Sequence, residues 1–383
     1  MSESKKIRVA VLYGGRSGEH EVSLSSAMNV IQNLDRARFD VVPIGIDKQG
    51  VWFLGDDVLK KELNDPTKLR LSRDAERMLF KPDSIGQPMQ RVQSTQLLPQ
   101  SNASGRIFDV IFPVIHGTLC EDGTVQGLLE LADVPYVGCG VLASAIGMEK
   151  DISKRLVKAA GIQVADYRVI NRGLWDKNPA QFCQLIADEI GFPVFVKPAN
   201  TGSSVGVEKV KRAEDLVSAI QNAFRYDTKI IVEQGIDAIE LEVAVLESAE
   251  YGAEPIASVV GEVRPTHEFY SYASKYLDEK GAELFIPAGI SDELHVRVQN
   301  AAKMIFKVLE CEGMARVDLF LERATHDIYF NEVNTIPGFT QISMYPKLMN
   351  ASGMPYSDLL THLVQLSIAR HDRKLQLSRE YVT

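Results

Sequence analysis

Strand and helix alternate from the start of this chain, and that alternation constrains the fold more than any other feature. "IRVAVLY", rich in β-branched and apolar residues, reads as a strand and runs into "GGRSGEHEVS". A stretch follows in which Ala27, Val30, Ile31 and Leu34 keep the 3.6-residue helical period. "FDVVPIGID" and "FDVIFPVIHG" supply further strands. This βαβ order predicts an α/β chain that opens with a small parallel sheet covered by helices. Residues 56–106 are polar with scattered Pro and Gly, so little regular structure is expected there.

At 383 residues the chain is too long for one ordinary core, and three α/β units are expected. A helix runs through "MEKDISKRLVKAAG", with Gly161 as its C′ residue. The strands "DYRVI" and "FPVFVKPA" and a helix around "FCQLIADEIG" follow it. "KIIVEQGI", "IELEVAVLE" and "PIASVVGEV" have the spacing of antiparallel strands. An amphipathic helix over about residues 292–309 precedes "MARVDLFLE" and "DIYFNEVNT", and "SDLLTHLVQLSIARH" closes the fold with Ser357 as N-cap.

The net charge of −9, without a long Lys/Arg block, weighs against nucleic acid as a partner. No run approaches the roughly 20 apolar residues of a membrane span, and the N-terminus shows no apolar signal-peptide core. Cys120, Cys139, Cys183 and Cys311 are scattered without a CxxC pair, as expected of reduced thiols in a cytoplasmic protein.

"NTGSSVGV" lacks the terminal Lys of a phosphate-binding P-loop and joins two strands, so it is expected to be a hairpin tip. Such a tip can still offer backbone N–H groups to phosphate as a lid, with Lys197 projecting from the incoming strand; a plain mobile turn has the same composition. In "MARVDLFL", alternation puts Arg316 and Asp318 on one face, opposite Ala315, Val317 and Leu319. In "NEVNT", Glu332 and Asn334 also share a face. Two carboxylates and a carboxamide over one cavity suit Mg²⁺, which takes oxygen ligands together with nucleotide phosphates. The alternative is a structural ion pair of Arg316 with either acid. Glu233 ends a strand where a following segment could hydrogen-bond adenine, although any strand end looks similar.

The ordered set "YGGRSGEHEVS", "HGTLCEDGTVQG", "MEKDISKR", "VFVKPANTGSSVGV", "VEQGI", "SKYLDEKG", "GMARVDLFL" and "NEVNTIPGFTQISMYP" resembles the D-alanine–D-alanine ligase family of the ATP-grasp superfamily. The resemblance runs from about Ile7 to the last helix. It implies a three-domain ATP-grasp fold: an N-terminal α/β substrate-binding domain (1–138), a central domain carrying the Gly/Ser phosphate loop (139–233), and a C-terminal domain with the Mg and oxyanion site (234–383).

The activity so implied is ATP-dependent joining of two D-alanines through an acyl phosphate, for peptidoglycan precursors. Two Mg²⁺ ions, with Mn²⁺ as a substitute, would be held by Asp318 and Glu332, and by Glu332 and Asn334. Lys150, Lys197 and Lys275, with Ser203 and Ser204, would contact phosphates. Glu233, Gln234, Ile236 and Glu240 would hold adenine and ribose. Arg316 and the Gly338 N–H would stabilise the oxyanion.

Glu19 would bind the ammonium of the first D-alanine and, with Ser203 and Tyr276, form a triad that shuts the lid. Ser343, Met344 and His116 would lie at the second-substrate site beside Lys275, although a lone His after a strand is more often structural. A homodimer is expected from the resemblance.

Two rival readings stand beside this one: a D-alanine–D-lactate ligase, which Tyr276 disfavours, and a nucleotide-binding regulatory module without turnover. A dinucleotide oxidoreductase has little support, because Gly14, Gly15 and Gly18 do not follow GxGxxG.

Overall fold

The structure, a computed structural model, describes residues 5–55, 59–60, 70–71, 76–80, 89–93, 96–97, 107–266 and 281–380. Lys275 and Tyr276 lie outside the described residues. The first strand, Ile7–Gly14, pairs in parallel with Phe39–Ile46 on one side and Val110–Pro113 on the other. Val9, Val11 and Tyr13 belong to one apolar cluster, and Ala10 and Leu12 to another, so the sheet is covered on both faces as parallel sheets are. The helix His20–Asn33 packs Leu24, Ala27 and Val30 into the first of these clusters.

Where the polar segment 56–106 is described, it forms short strands that its composition does not predict, continuing from Trp52–Leu54 just before it. Trp52–Leu54, Glu76–Phe80, Met89–Gln93 and Gln96–Leu97 extend the same sheet by antiparallel pairing, and Leu59–Lys60 pairs with Arg70–Leu71. Antiparallel extensions can face water on one side, so they carry no continuous apolar run to betray them in the sequence.

A second, four-stranded antiparallel sheet runs Tyr167–Asn171, Lys229–Gln234, Val194–Pro198, Glu208–Val210. Val194 pairs with Val210, so the Gly/Ser segment between these strands is a hairpin tip, as its sequence predicts. A third sheet runs Gln163–Val164, Ile328–Asn334, Met314–Glu322, Ala238–Leu246, Gly261–Pro265, Ala282–Phe285, with Ile256–Ala257 on Ala238–Leu246. Its far face buries Val317, Leu319, Phe330 and Val333 with Val298, Ala302 and Ile305 of the helix Asp292–Val308. Ser291 caps that helix, accepting the Leu294 N–H at 3.3 Å.

The last helix, Tyr356–Leu375, starts one residue before Ser357. Its N-cap position is Pro355, whose carbonyl takes the Leu359 N–H, so Ser357 lies inside the first turn and caps nothing. Gly161 follows the helix Lys150–Ala159 at φ +88°, the left-handed conformation expected after a helix end.

Candidate active site

Antiparallel pairing sets Asp318 opposite Glu332 and Arg316 opposite Asn334, which brings the four predicted side chains to one place. The pairing slips after Asp318: Leu319 faces Phe330, leaving Asn331 as the extra residue of a β-bulge. Phe330 and Val333 are an odd number of positions apart, yet both enter the same apolar cluster. Strict alternation from Phe330 would have sent Glu332 and Asn334 into that core. The bulge turns them into the cavity instead.

Arg316 holds Asp318 through two bonds of 2.7 Å and lies 3.1 Å from Glu242. Asn334 donates to Asp318 at 2.9 Å, and Lys150 lies 3.8 Å from Glu332. Burial works against the charge on Arg316, but Asp318 and Glu242 outweigh it and hold the guanidinium well above its ordinary value. Among the described residues, three carboxylates (Asp318, Glu332 and Glu242) thus meet two cations, Arg316 and Lys150. Among the described residues no three His, Cys, Asp or Glu side chains form a metal-holding group by themselves. Carboxylate oxygens with one carboxamide fit Mg²⁺ that takes its remaining ligands from phosphates.

The other wall of the cavity, about 140 Å³ in volume, comes from three loops. Ser203 at the hairpin tip donates to Glu19, so the Gly/Ser loop is closed onto the N-terminal unit. A Cβ at Gly117 would lie 2.5 Å from Glu19 Oε2, and one at Gly202 2.9 Å; only glycine lets both loops approach that carboxylate. Lys150 donates to the Thr201 carbonyl at 2.7 Å and so ties the base of the hairpin to the helix beneath it.

The 336–343 loop supplies the last side. A Cβ at Gly338 would meet Ser343 Oγ at 2.7 Å, while Ser343 Oγ accepts the Thr340 N–H at 3.0 Å. Met344 opens the helix Met344–Ala351 and also lines the cavity.

His116 touches the cavity, but both ring nitrogens serve the protein. Nδ1 faces the Ile336 carbonyl at 3.1 Å; a carbonyl only accepts, so Nδ1 carries the proton and Nε2 accepts from Ser26 Oγ at 3.0 Å. Ser26 in turn accepts the Phe339 N–H at 3.2 Å. Burial holds the imidazole down to about 4, hence neutral. His116 therefore anchors the loop that carries Gly338.

On the nucleotide side, Glu233 is buried between Lys154 and Lys197, each 2.5 Å away. Burial would raise its carboxyl, but the two ammonium charges overcome that and pull it down to about 2. Gln234 is exposed at the strand end, with Ile236 half-buried two residues on. Glu240 is half-buried on Ala238–Leu246, and Ser204 has φ +58° beside Ser203.

Two family models match the chain: D-ala D-ala ligase N-terminus over residues 8–139 and D-ala D-ala ligase C-terminus over residues 156–365. The chain belongs to the D-alanine–D-alanine ligase family. It is 50% identical to D-alanine--D-alanine ligase A of Bradyrhizobium diazoefficiens, with 99% of each chain covered. A solved D-alanine-D-alanine ligase from Coxiella burnetii matches with TM-score 0.79 and 34% identity, covering 97% of each chain. The VanG D-Ala:D-Ser ligase from Enterococcus faecalis matches with TM-score 0.79 and 34% identity, over 95% of this chain and 100% of that one. The architecture is accordingly the ATP-grasp fold of the family.

Within this family member, three site residues were not singled out from the sequence. Glu242 shares a face with Glu240, so alternation in "IELEVAVLE" could have found it. Lys154 sits one helical turn from Lys150 on the same helix, and that spacing was the available signal. Glu121 is buried in "HGTLCEDGTVQG" and lines the cavity, accepting the Gly117 N–H at 2.8 Å.

Burial, then the charge of Glu19, push the Glu121 carboxyl up to about 8. It keeps its proton where an unfolded chain, at 4.5, has lost it, so wild-type stability falls as pH rises from 4.5 to about 8. Glu121→Gln should flatten that slope. Urea midpoints at about pH 5 and about pH 8 check it, and an unchanged slope in the variant would refute the assignment.

Proposed function

We propose that the chain activates the carboxylate of one D-alanine with ATP and joins it to the amine of a second, giving D-alanyl-D-alanine for peptidoglycan precursors. One observation carries this reading. A Glu19–Ser203 closure, the side chains of Arg316, Glu332 and Asn334, and the Gly338–Ser343 loop line a single cavity, with Asp318 bonded to Arg316 and Asn334 beside it.

A carboxylate resists attack by an amine at neutral pH, so it is first converted to an acyl phosphate, a step that requires positioning and charge neutralisation above all. Asp318 with Glu332, and Glu332 with Asn334, would hold two Mg²⁺ ions, replaceable by Mn²⁺. When bound, these ions neutralise charge on the transferring phosphoryl group. Lys150, Lys197, Ser203 and Ser204 bind phosphate oxygens, joined by Lys275. Glu233, Gln234, Ile236 and Glu240 take adenine and ribose, and Glu233 also holds Lys197 through their ion pair.

Glu19 receives the first ammonium. Glu121, kept protonated, leaves one negative charge there for that one cation. The amine of the second D-alanine, its carboxylate on Ser343, then attacks the acyl carbon. Arg316 and the Gly338 N–H stabilise the oxyanion, and phosphate departs. Excluding water protects the acyl phosphate, which is the use of the Ser203–Glu19 closure, completed by Tyr276. The three domains are taken as 1–138, 139–233 and 234–383. Buried Cys120, Cys139 and Cys311, free of disulfides, support a cytoplasmic setting, and family membership supports a homodimer.

The test is phosphate release from Mg-ATP with D-alanine alone, with added D-lactate or D-serine, and with L-alanine, identifying products by mass. D-alanyl-D-alanine from D-alanine alone is the expected result. A mixed product formed in preference to it would move the chain to a different acceptor, and no turnover would return it to a binding role.

A further inference from the structure

Lys154 is buried to 1% exposure on the helix Lys150–Ala159, and the reaction described above gives its ammonium nothing to do. Burial pushes such a group toward the neutral form, so an amine there is retained only if its surroundings hold it. Nζ donates to two carbonyls, Asn331 at 3.0 Å and Phe330 at 3.2 Å, and Glu233 Oε1 lies 2.5 Å away as its ion-pair partner. Both carbonyls belong to the backbone of the bulge, where Asn331 is the extra residue and Phe330 the last in register before it. A bulge leaves its extra residue unpaired and disrupts the ladder locally. Here a side chain from another element bonds the carbonyl of that residue and of the one before it.

We infer that Lys154 is a positioning residue: by holding the Phe330 and Asn331 carbonyls it fixes the bulge that turns Glu332 and Asn334 out of the core and into the cation-binding cavity. The inference rests on the proposed metal role of those two residues. Its ion pair with Glu233 gives the nucleotide-side carboxylate and the metal-side strand a common anchor. Lys150, one turn earlier on the same helix, reaches the cavity itself, whereas Lys154 acts only through the backbone it holds.

The readout is binding of Mn²⁺, followed by loss of the free-ion electron paramagnetic resonance signal, with enzyme saturated by a non-hydrolysable ATP analogue. Lys154→Met should weaken Mn²⁺ by about tenfold or more, the usual effect of removing a group that orients metal ligands. Lys154→Arg, which keeps charge and donors, should recover most of the loss.

Removing one lysine also strands charge on Glu233, so Lys154→Met/Glu233→Gln is compared with Glu233→Gln alone; the same tenfold gap is expected even if the single Met variant does not fold. Unchanged Mn²⁺ binding in a folded Lys154→Met, or no gap in the second comparison, overturns the inference. Glu332→Gln is the reference. If it too leaves Mn²⁺ binding unchanged, the metal assignment itself fails; if it alone weakens binding, only the role of Lys154 does.

Discussion

Glu332→Gln is expected to lower turnover by about 10³-fold or more while leaving the fold intact. Glu332 is the one side chain assigned to both cations, and a bound metal contributes several kcal/mol to a phosphoryl-transfer transition state, with each 1.4 kcal/mol worth about tenfold. It sits opposite Asp318 at the bulge, and its ion pair with Lys150 is long, at 3.8 Å, so a neutral isostere of the same shape should be accommodated without unfolding. ADP release under saturating substrates, with circular dichroism on the same sample, tests this. A folded variant with near-normal turnover would end the metal assignment.

The second large effect is expected at Arg316, and it falls on stability and rate together. Its guanidinium is bonded twice to Asp318 and lies beside Glu242, all of them largely buried. Arg316→Met strips that compensation, and breaking a buried pair from one side typically costs about 3–5 kcal/mol. Loss of one oxyanion donor should lower kcat by about 10²–10³-fold besides. The two effects separate through Mg²⁺: the ion should restore part of the lost melting temperature, by replacing positive charge among the carboxylates, without restoring kcat. A variant as stable as the wild type without Mg²⁺ would show that the three carboxylates do not share the charge as argued.

Much of this site was legible because strands have period two. Arg316 with Asp318, and Glu332 with Asn334, could be put on shared faces from spacing alone, and the hairpin form of "NTGSSVGV" followed from the strands on either side of it. In the 56–106 region the described residues form short strands that the sequence reading did not place, because two- to five-residue polar strands at a sheet edge are too short to show a period. The N-cap assignment to Ser357 missed because Pro355 offers the extended backbone that starts the helix two residues earlier.

His116 shows the limit of reading a single residue. Nothing local to "VIHG" shows that Ile336, 220 positions away, would take its Nδ1 proton.

By itself, the sequence determined the α/β class, the family and the chemical types at the site, because apolar periodicity and short motifs are local properties of the chain. Only the tertiary structure decided which way Glu332 points. From Phe330, simple alternation runs inward. The reversal depends on one extra residue, Asn331, whose carbonyl is held by Lys154 from 177 positions away. The protonation of Glu121 and the ionisation of Glu233 were decided in the same way. Each depends on burial and on charges brought close by folding, and neither quantity exists until the loops and sheets have met.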